Sequence, residues 1–159
     1  MIEKKTNVGR WLALAVIAVS LLLIEEVWCS PDAPESMRSD ALIRIGEKGT
    51  LDVEVADTSA ERTRGLSHRE DVPWGTGMLF HWDEDTMTGF WMADTYVELS
   101  IAFIDASWEI QQIEYMTEPM SRDHVGAHVP YRYALEVPYG WFDEQGITVG
   151  DTLTYTASE

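Results

Sequence analysis

Apolar and polar side chains alternate along most of the chain beyond residue 40, which is the signature of half-buried strands. Ala41 to Ile45 and Leu51 to Val55 each alternate, and Gly46-Glu47-Lys48-Gly49 between them supplies turn residues, so the pair predicts a hairpin. Within it, Val53 and Val55 are expected to face the core while Asp52 and Glu54 face water. After a loop containing Val72-Pro73-Trp74-Gly75, Met78-Leu79-Phe80 reads as a buried strand and Gly89 to Met92 as another. Leu99 to Ile104 and Trp108 to Tyr115 predict a second hairpin across Asp105-Ala106-Ser107. Tyr131 to Val137 is a further strand, and Asp151 to Thr156 closes the domain with β-branched alternation.

Two stretches depart from the alternation. Thr58-Ser59-Ala60-Glu61 fits a capping box, so a helix is expected from there to Gly65, which can take the left-handed conformation that ends it. Tyr139 to Gln145 predicts a short helix stopped by Gly146. About eight strands with one or two short helices imply a mainly β fold, an antiparallel β-sandwich or a partly open barrel.

The first 29 residues follow another pattern. Lys4, Lys5 and Arg10 precede a largely apolar run from Trp11 to Ile24, ended by Glu25 and Glu26. A helix of that length spans roughly 21 Å against a hydrocarbon core of ~30 Å, which suits a signal peptide better than a membrane span. Val27-Trp28-Cys29 is an awkward cleavage site because Trp28 is bulky, so retention as an N-terminal anchor stays open beside cleavage. Either way the chain is expected to be exported to the periplasm or cell envelope, touching the membrane only through this segment. Residues 30–40 read as an acidic Pro/Ser linker, which leaves 41–159 as the folded domain.

Charge narrows the function classes. Eleven Lys+Arg face 28 Asp+Glu in 159 residues, a formal charge of −17 that excludes a general nucleic-acid binder. Lys48 is the only Lys beyond residue 29, and so acidic a surface is read as solubility in high salt, the mark of a halophile. The single cysteine, Cys29, excludes an intrachain disulfide and a thiolate metal cluster.

From Leu51 onward an ordered set of short motifs resembles the bacterial and archaeal family of unknown function called DUF192. They are Val55-Ala56-Asp57-Thr58, Glu61-Arg62, Arg64-Gly65-Leu66, Gly77-Met78-Leu79-Phe80, Phe90-Trp91-Met92 and Ile101-Ala102-Phe103-Ile104-Asp105, then Leu135-Glu136-Val137-Pro138, Gly140-Trp141-Phe142 and Gly150-Asp151. The resemblance implies a compact, mainly β domain, often exported, with no settled activity. Two departures stand out. Ala93 replaces the Lys usual after the Trp-Met pair, and Ser100 replaces the Asp of a Pro-Leu-Asp pattern. If those positions carry a family function, this chain has lost it or changed its ligand.

The candidate chemistry centres on Phe90 to Thr95. A strand there puts Phe90 and Met92 on one side and Trp91 on the other, so Trp91, Met92, Asp94 and Thr95 make a candidate ligand-binding surface, with Arg64 and Glu136 as polar partners. The competing reading is a strand buried on both sides. Tyr139, Trp141 and Phe142 either stack on a ligand or pack a short helix onto the sheet. His124 and His128, with Asp123, have metal-ligand spacing on a helix, but Gly126 and Pro130 argue for a loop, and no metal is assigned. Asp83-Glu84-Asp85 lacks the spacing of a calcium loop and reads as a solvated acidic turn.

Asp57, Asp105 and Glu136 are the carboxylates inside motifs, and Glu136 is the strongest of them. Pairing with Arg64 or Arg132 would make it structural, whereas burial beside a pocket would make it a general acid. No nucleophile elbow, phosphate-cradling loop or zinc-protease signature occurs, and no cofactor is expected. The preferred reading is a ligand-binding or accessory module of the cell envelope, taking a small molecule or an envelope protein. One alternative is a hydrolytic or carbohydrate-modifying enzyme using Glu136 or Asp105, marked by a carboxylate of raised pKa in a pocket. The other is a module docking through a sheet edge, marked by an apolar patch without a concavity.

Overall fold

A computed structural model describes residues 37–158, so the expected export segment 1–29 and residues 30–36 of the linker lie outside the described residues. Seven strands follow one another as β1 (Ala41–Ile45), β2 (Gly49–Ala56), β3 (Thr76–Thr86), β4 (Leu99–Ile104), β5 (Ile110–Met116), β6 (Tyr131–Pro138) and β7 (Leu153–Ala157). Two short helices interrupt them, α1 (Ser59–Arg64) before β3 and α2 (Trp141–Glu144) before β7. All seven strands join one sheet in the order β5-β4-β6-β3-β2-β1-β7.

The fold is mainly β as expected, with two corrections. The strand expected at Gly89 to Met92 is not one, which leaves seven rather than about eight. Phe90 makes only an isolated bridge to Val125, exchanging backbone hydrogen bonds of 2.7 and 2.8 Å, before the chain turns through Asp94 at φ +56°. The sheet is also mixed rather than antiparallel, because β2 and β3 pair in parallel from Asp52–Thr76 to Ala56–Phe80. Parallel neighbours need a crossover that returns the chain to the same end, and α1 with its following loop provides it. The sheet is not closed. Its edge strands β5 and β7 approach through the isolated Glu109–Thr152 bridge, beside which the Ile110 N–H donates to the Asp151 carbonyl at 2.9 Å.

Strand alternation sorts the apolar residues onto two faces. Leu79, Ala102, Ile104, Leu135 and Val137 join Ile43, Ile45, Leu51 and Val53 on the first face, where Trp141 and Phe142 of α2 pack with them. Glycine at position 49 suits this close packing, since a Cβ there would lie 3.0 Å from the Trp141 ring. The alternate positions Met78, Phe80, Ile101, Phe103 and Ala134 form the second face and pack with Leu66, Val72, Met92 and Ala127 from the connecting segments. Glu54 corrects the expectation that it faces water. It is buried, and its carboxylate pairs with the equally buried Arg69 at 2.8 Å, because the loop after α1 folds over it.

Candidate functional site

The second face holds a cavity of about 410 Å³, within the ~300–1,000 Å³ typical of small-molecule pockets. One wall comes from α1. The Thr58 hydroxyl accepts from the Glu61 N–H at 3.2 Å and the Glu61 carboxylate accepts from the Thr58 N–H at 3.1 Å, so the predicted capping box starts the helix. The side-chain hydrogen bond from Thr58 holds the Glu61 carboxyl below its ordinary pKa. Gly65 then ends the helix at φ +51°, a conformation that favours glycine. Ser59, Arg62 and Thr63, at helical spacing, line the cavity with Gly65 and Leu66. The Arg62 guanidinium donates to the backbone carbonyls of Asp57 and His81 (2.7 Å to the latter) and lies 5.3 Å from the Trp82 ring, tying α1 to β3.

Aromatic rings build the opposite wall. Phe80 and Trp82 point to the same side of β3 with their rings stacked at 6.3 Å, and Phe90 meets both edge-on at 5.0 and 6.1 Å. Trp91 is 50 % exposed, and its ring lies 5.3 Å from that of His124. The Tyr131 hydroxyl donates to the Thr88 carbonyl and so holds this segment against β6, while burial pushes the phenol above its usual range.

Glu136 completes the cavity from the middle of the sheet. It sits on the interior strand β6, opposite Met78 of β3 and Ile101 of β4, and is only 4 % exposed. Burial pushes its pKa from an ordinary 4.5 up to about 8, and no donor or charge among the described residues offsets that desolvation. At neutral pH the group is therefore mostly a protonated acid. Neither Arg64 nor Arg132 acts on it, since burial is the one cause of its shift and the Arg132 guanidinium binds Asp85 at 2.9 Å.

Trp91, Thr95 and Glu136 line one cavity, whereas the other three candidates do not. Met92 is a core residue of the second face. Asp94 is exposed in a turn, and its backbone carbonyl accepts from the His68 N–H at 2.6 Å. Arg64 projects outward, and Arg62 takes the cavity position. Asp105 organises the β4–β5 turn: its carboxylate accepts from Ser107, the Glu109 N–H at 3.1 Å and the Gln111 amide at 2.8 Å. Partial burial raises its pKa, but these hydrogen bonds outweigh it and leave the group lowered. Ser100 is buried, and its hydroxyl accepts from the Gly140 N–H at 3.0 Å, so the substituted family position supports the turn before α2. Neither Ser100 nor Ala93 lines the cavity.

Sequence reasoning missed Arg62, Trp82 and His124 as cavity residues. Counting three and four residues on from Ser59 would have selected Arg62 and Thr63 instead of Arg64, and extending the β3 alternation past Phe80 would have found Trp82. Nothing in the sequence placed His124 beside Trp91. The acidic run Asp83 to Asp85 lies within β3 rather than in a turn. Among the described residues no group of three or more His, Cys, Asp or Glu could hold a metal ion.

Comparison with known proteins agrees with the motifs. The DUF192 family model, described as an uncharacterized ACR, matches residues 41–155. No curated protein matches the chain in sequence. A crystal structure of a protein of unknown function from Novosphingobium aromaticivorans DSM 12444 is similar at 28 % identity and a TM-score of 0.67, over 72 % of this chain and 82 % of that one. Another, described as a "putative transcription regulator" from Sinorhizobium meliloti 1021, is similar at 29 % identity and a TM-score of 0.69, over 76 % and 95 %.

Proposed function

The chain belongs to the DUF192 family, and from that starting point we propose that it is a small-molecule-binding domain whose site is the cavity around Glu136. The observation that carries this reading is the contrast between its two buried glutamates. Glu54 is neutralised by Arg69 at 2.8 Å, as a structural carboxylate should be. Glu136 is as deeply buried, lines an open cavity and has no partner among the described residues. A carboxyl that opens onto a cavity and has no protein partner is left to meet water or a ligand, and a perturbed carboxyl in a concavity marks a candidate working site. Trp91 and Thr95 supply apolar contact and a hydroxyl at the same opening.

The positive n-region and apolar run of the first 29 residues support placing this binding function outside the cytoplasm, in the periplasm or cell envelope. The Lys-poor acidic surface supports a salt-adapted setting. The regulator description of the Sinorhizobium neighbour is not carried over, because a charge of −17 opposes contact with phosphates. An aromatic concavity also favours ligand binding over docking through a sheet edge.

A second reading is supported by one observation: at neutral pH Glu136 holds a proton that a general acid could donate. Against it, no other carboxylate lines the cavity among the described residues, and Asp105 is occupied in its turn. Glycoside hydrolysis by paired carboxylates therefore lacks its second group. Thermal melting of the full chain in high salt against sugars, nucleotides, peptides, metals and amines tests the binding reading. A concentration-dependent rise with one class, lost in Trp91→Ala, is expected. Silence across the panel contradicts it.

A further inference from the structure

Resting on that reading, we infer that the cavity takes a small organic ammonium ion, with its cationic nitrogen against the Glu136 carboxylate and its apolar body against Phe90 and Trp91. Three independent features point to this class. Glu136 is a buried carboxyl facing the cavity with no donor of its own, and an ammonium brings both donors and the compensating charge. Phe80, Phe90 and Trp91 line the same cavity, and an aromatic face attracts a cation rather than an anion. The whole molecule carries −17, and a field of that sign draws cations toward a cleft and repels carboxylates.

Arg62 does not reverse the preference. Its guanidinium is engaged with the Asp57 and His81 carbonyls and with the Trp82 face, so it serves as a clamp between α1 and β3. The other ionisable group at the cavity is His124, at the exposed rim beside Trp91, while the strand neighbours Met78 and Ile101 bring no charge to Glu136.

Binding a cation requires Glu136 to ionise, so the carboxyl proton leaves to the buffer as the ammonium arrives. Affinity should therefore rise about tenfold per pH unit while Glu136 is mostly protonated and level off above about pH 8. Calorimetry on the full chain with benzylammonium, butylammonium, benzyl alcohol and benzoate tests this, each titrated in two buffers of different ionisation enthalpy. The expected result is binding of the ammonium ions alone, with close to one proton released per ligand at about pH 6. Glu136→Gln should abolish both. Proton release by the unaltered protein reports the same chemistry without depending on whether that variant folds. Binding of the alcohol or the benzoate, lost in Trp91→Ala, would keep the cavity as the site and overturn the ammonium class. Ammonium binding without proton release would overturn it too, and so would binding of none of the four; only silence across the wider melting panel would also remove the cavity reading.

Discussion

The two faces of the sheet are built from the same strands yet have opposite character. The first is apolar throughout, and Trp141 and Phe142 pack against it from a helix of four residues. The second receives the alternate side chains of β3, β4 and β6, but its partners come from connecting segments, and between them lies a cavity floored by a carboxyl. The difference shows how one pleat divides its labour. A face closed by bulky rings supplies stability, which lets the other keep an unmet acid and half-exposed aromatic side chains without unfolding.

The sharpest way to break this comparison is to open the closed face. Trp141→Ala removes a ring that is 2 % exposed, and a loss toward the upper end of about 3–5 kcal/mol is expected in urea unfolding. A loss below about 1 kcal/mol would show that the first face is not where stability resides.

The second test separates the faces by pH. Folding raises Glu136 from 4.5 to about 8. Its contribution to stability is therefore full below pH 4.5 and lost as pH climbs through 8, the reverse of an ion-paired carboxylate. Relative to Glu136→Gln, the unaltered protein should lose about 5 kcal/mol across that window. Parallel stability curves for the two proteins would place Glu136 in water.

The two buried glutamates give the third. Arg69→Met strands the Glu54 charge, and with Arg38 still 3.8 Å away a cost of about 3 kcal/mol is expected. Adding Glu54→Leu should recover most of it, whereas additive losses would mean that the pair does not act as one unit. The smallest stability effect belongs to Trp91→Ala. Half exposed at the rim, Trp91 should cost less than about 1 kcal/mol while the ligand-induced melting shift disappears. Equal loss of folding and binding would make it a core residue.

Much of this contrast was legible in the sequence because it rests on local rules. The capping box at Thr58, the β1–β2 hairpin and the β4–β5 hairpin are each set by residues a few positions apart, and all three form. Burial of Trp141 and Phe142 follows from aromatic residues beside a turn glycine. What the sequence hid depends on distant segments meeting. The parallel β2–β3 pairing depends on how residues 57–75 carry the chain back to the same end of the sheet, and Gly89 to Met92 has strand composition but no neighbour to extend its bridge. Glu54 alternates like a solvent-facing residue and is buried only because Arg69 arrives from a loop 15 positions away. Of the site, Trp91, Thr95 and Glu136 were found by chemical type, while Arg62 was missed because helical spacing was not counted on from Ser59 to decide between two arginines that both lie in motifs. Met92, Asp94 and Arg64 were adjacent in sequence to residues that matter, and adjacency is not a shared face.

The central claim is that Glu136 is a buried acid without a partner at the floor of an open cavity. Its carboxyl carbon can be followed by NMR across the pH range, with Glu136→Gln identifying the signal. A midpoint near 8 is predicted, and a midpoint at the ordinary 4.5 would contradict the account.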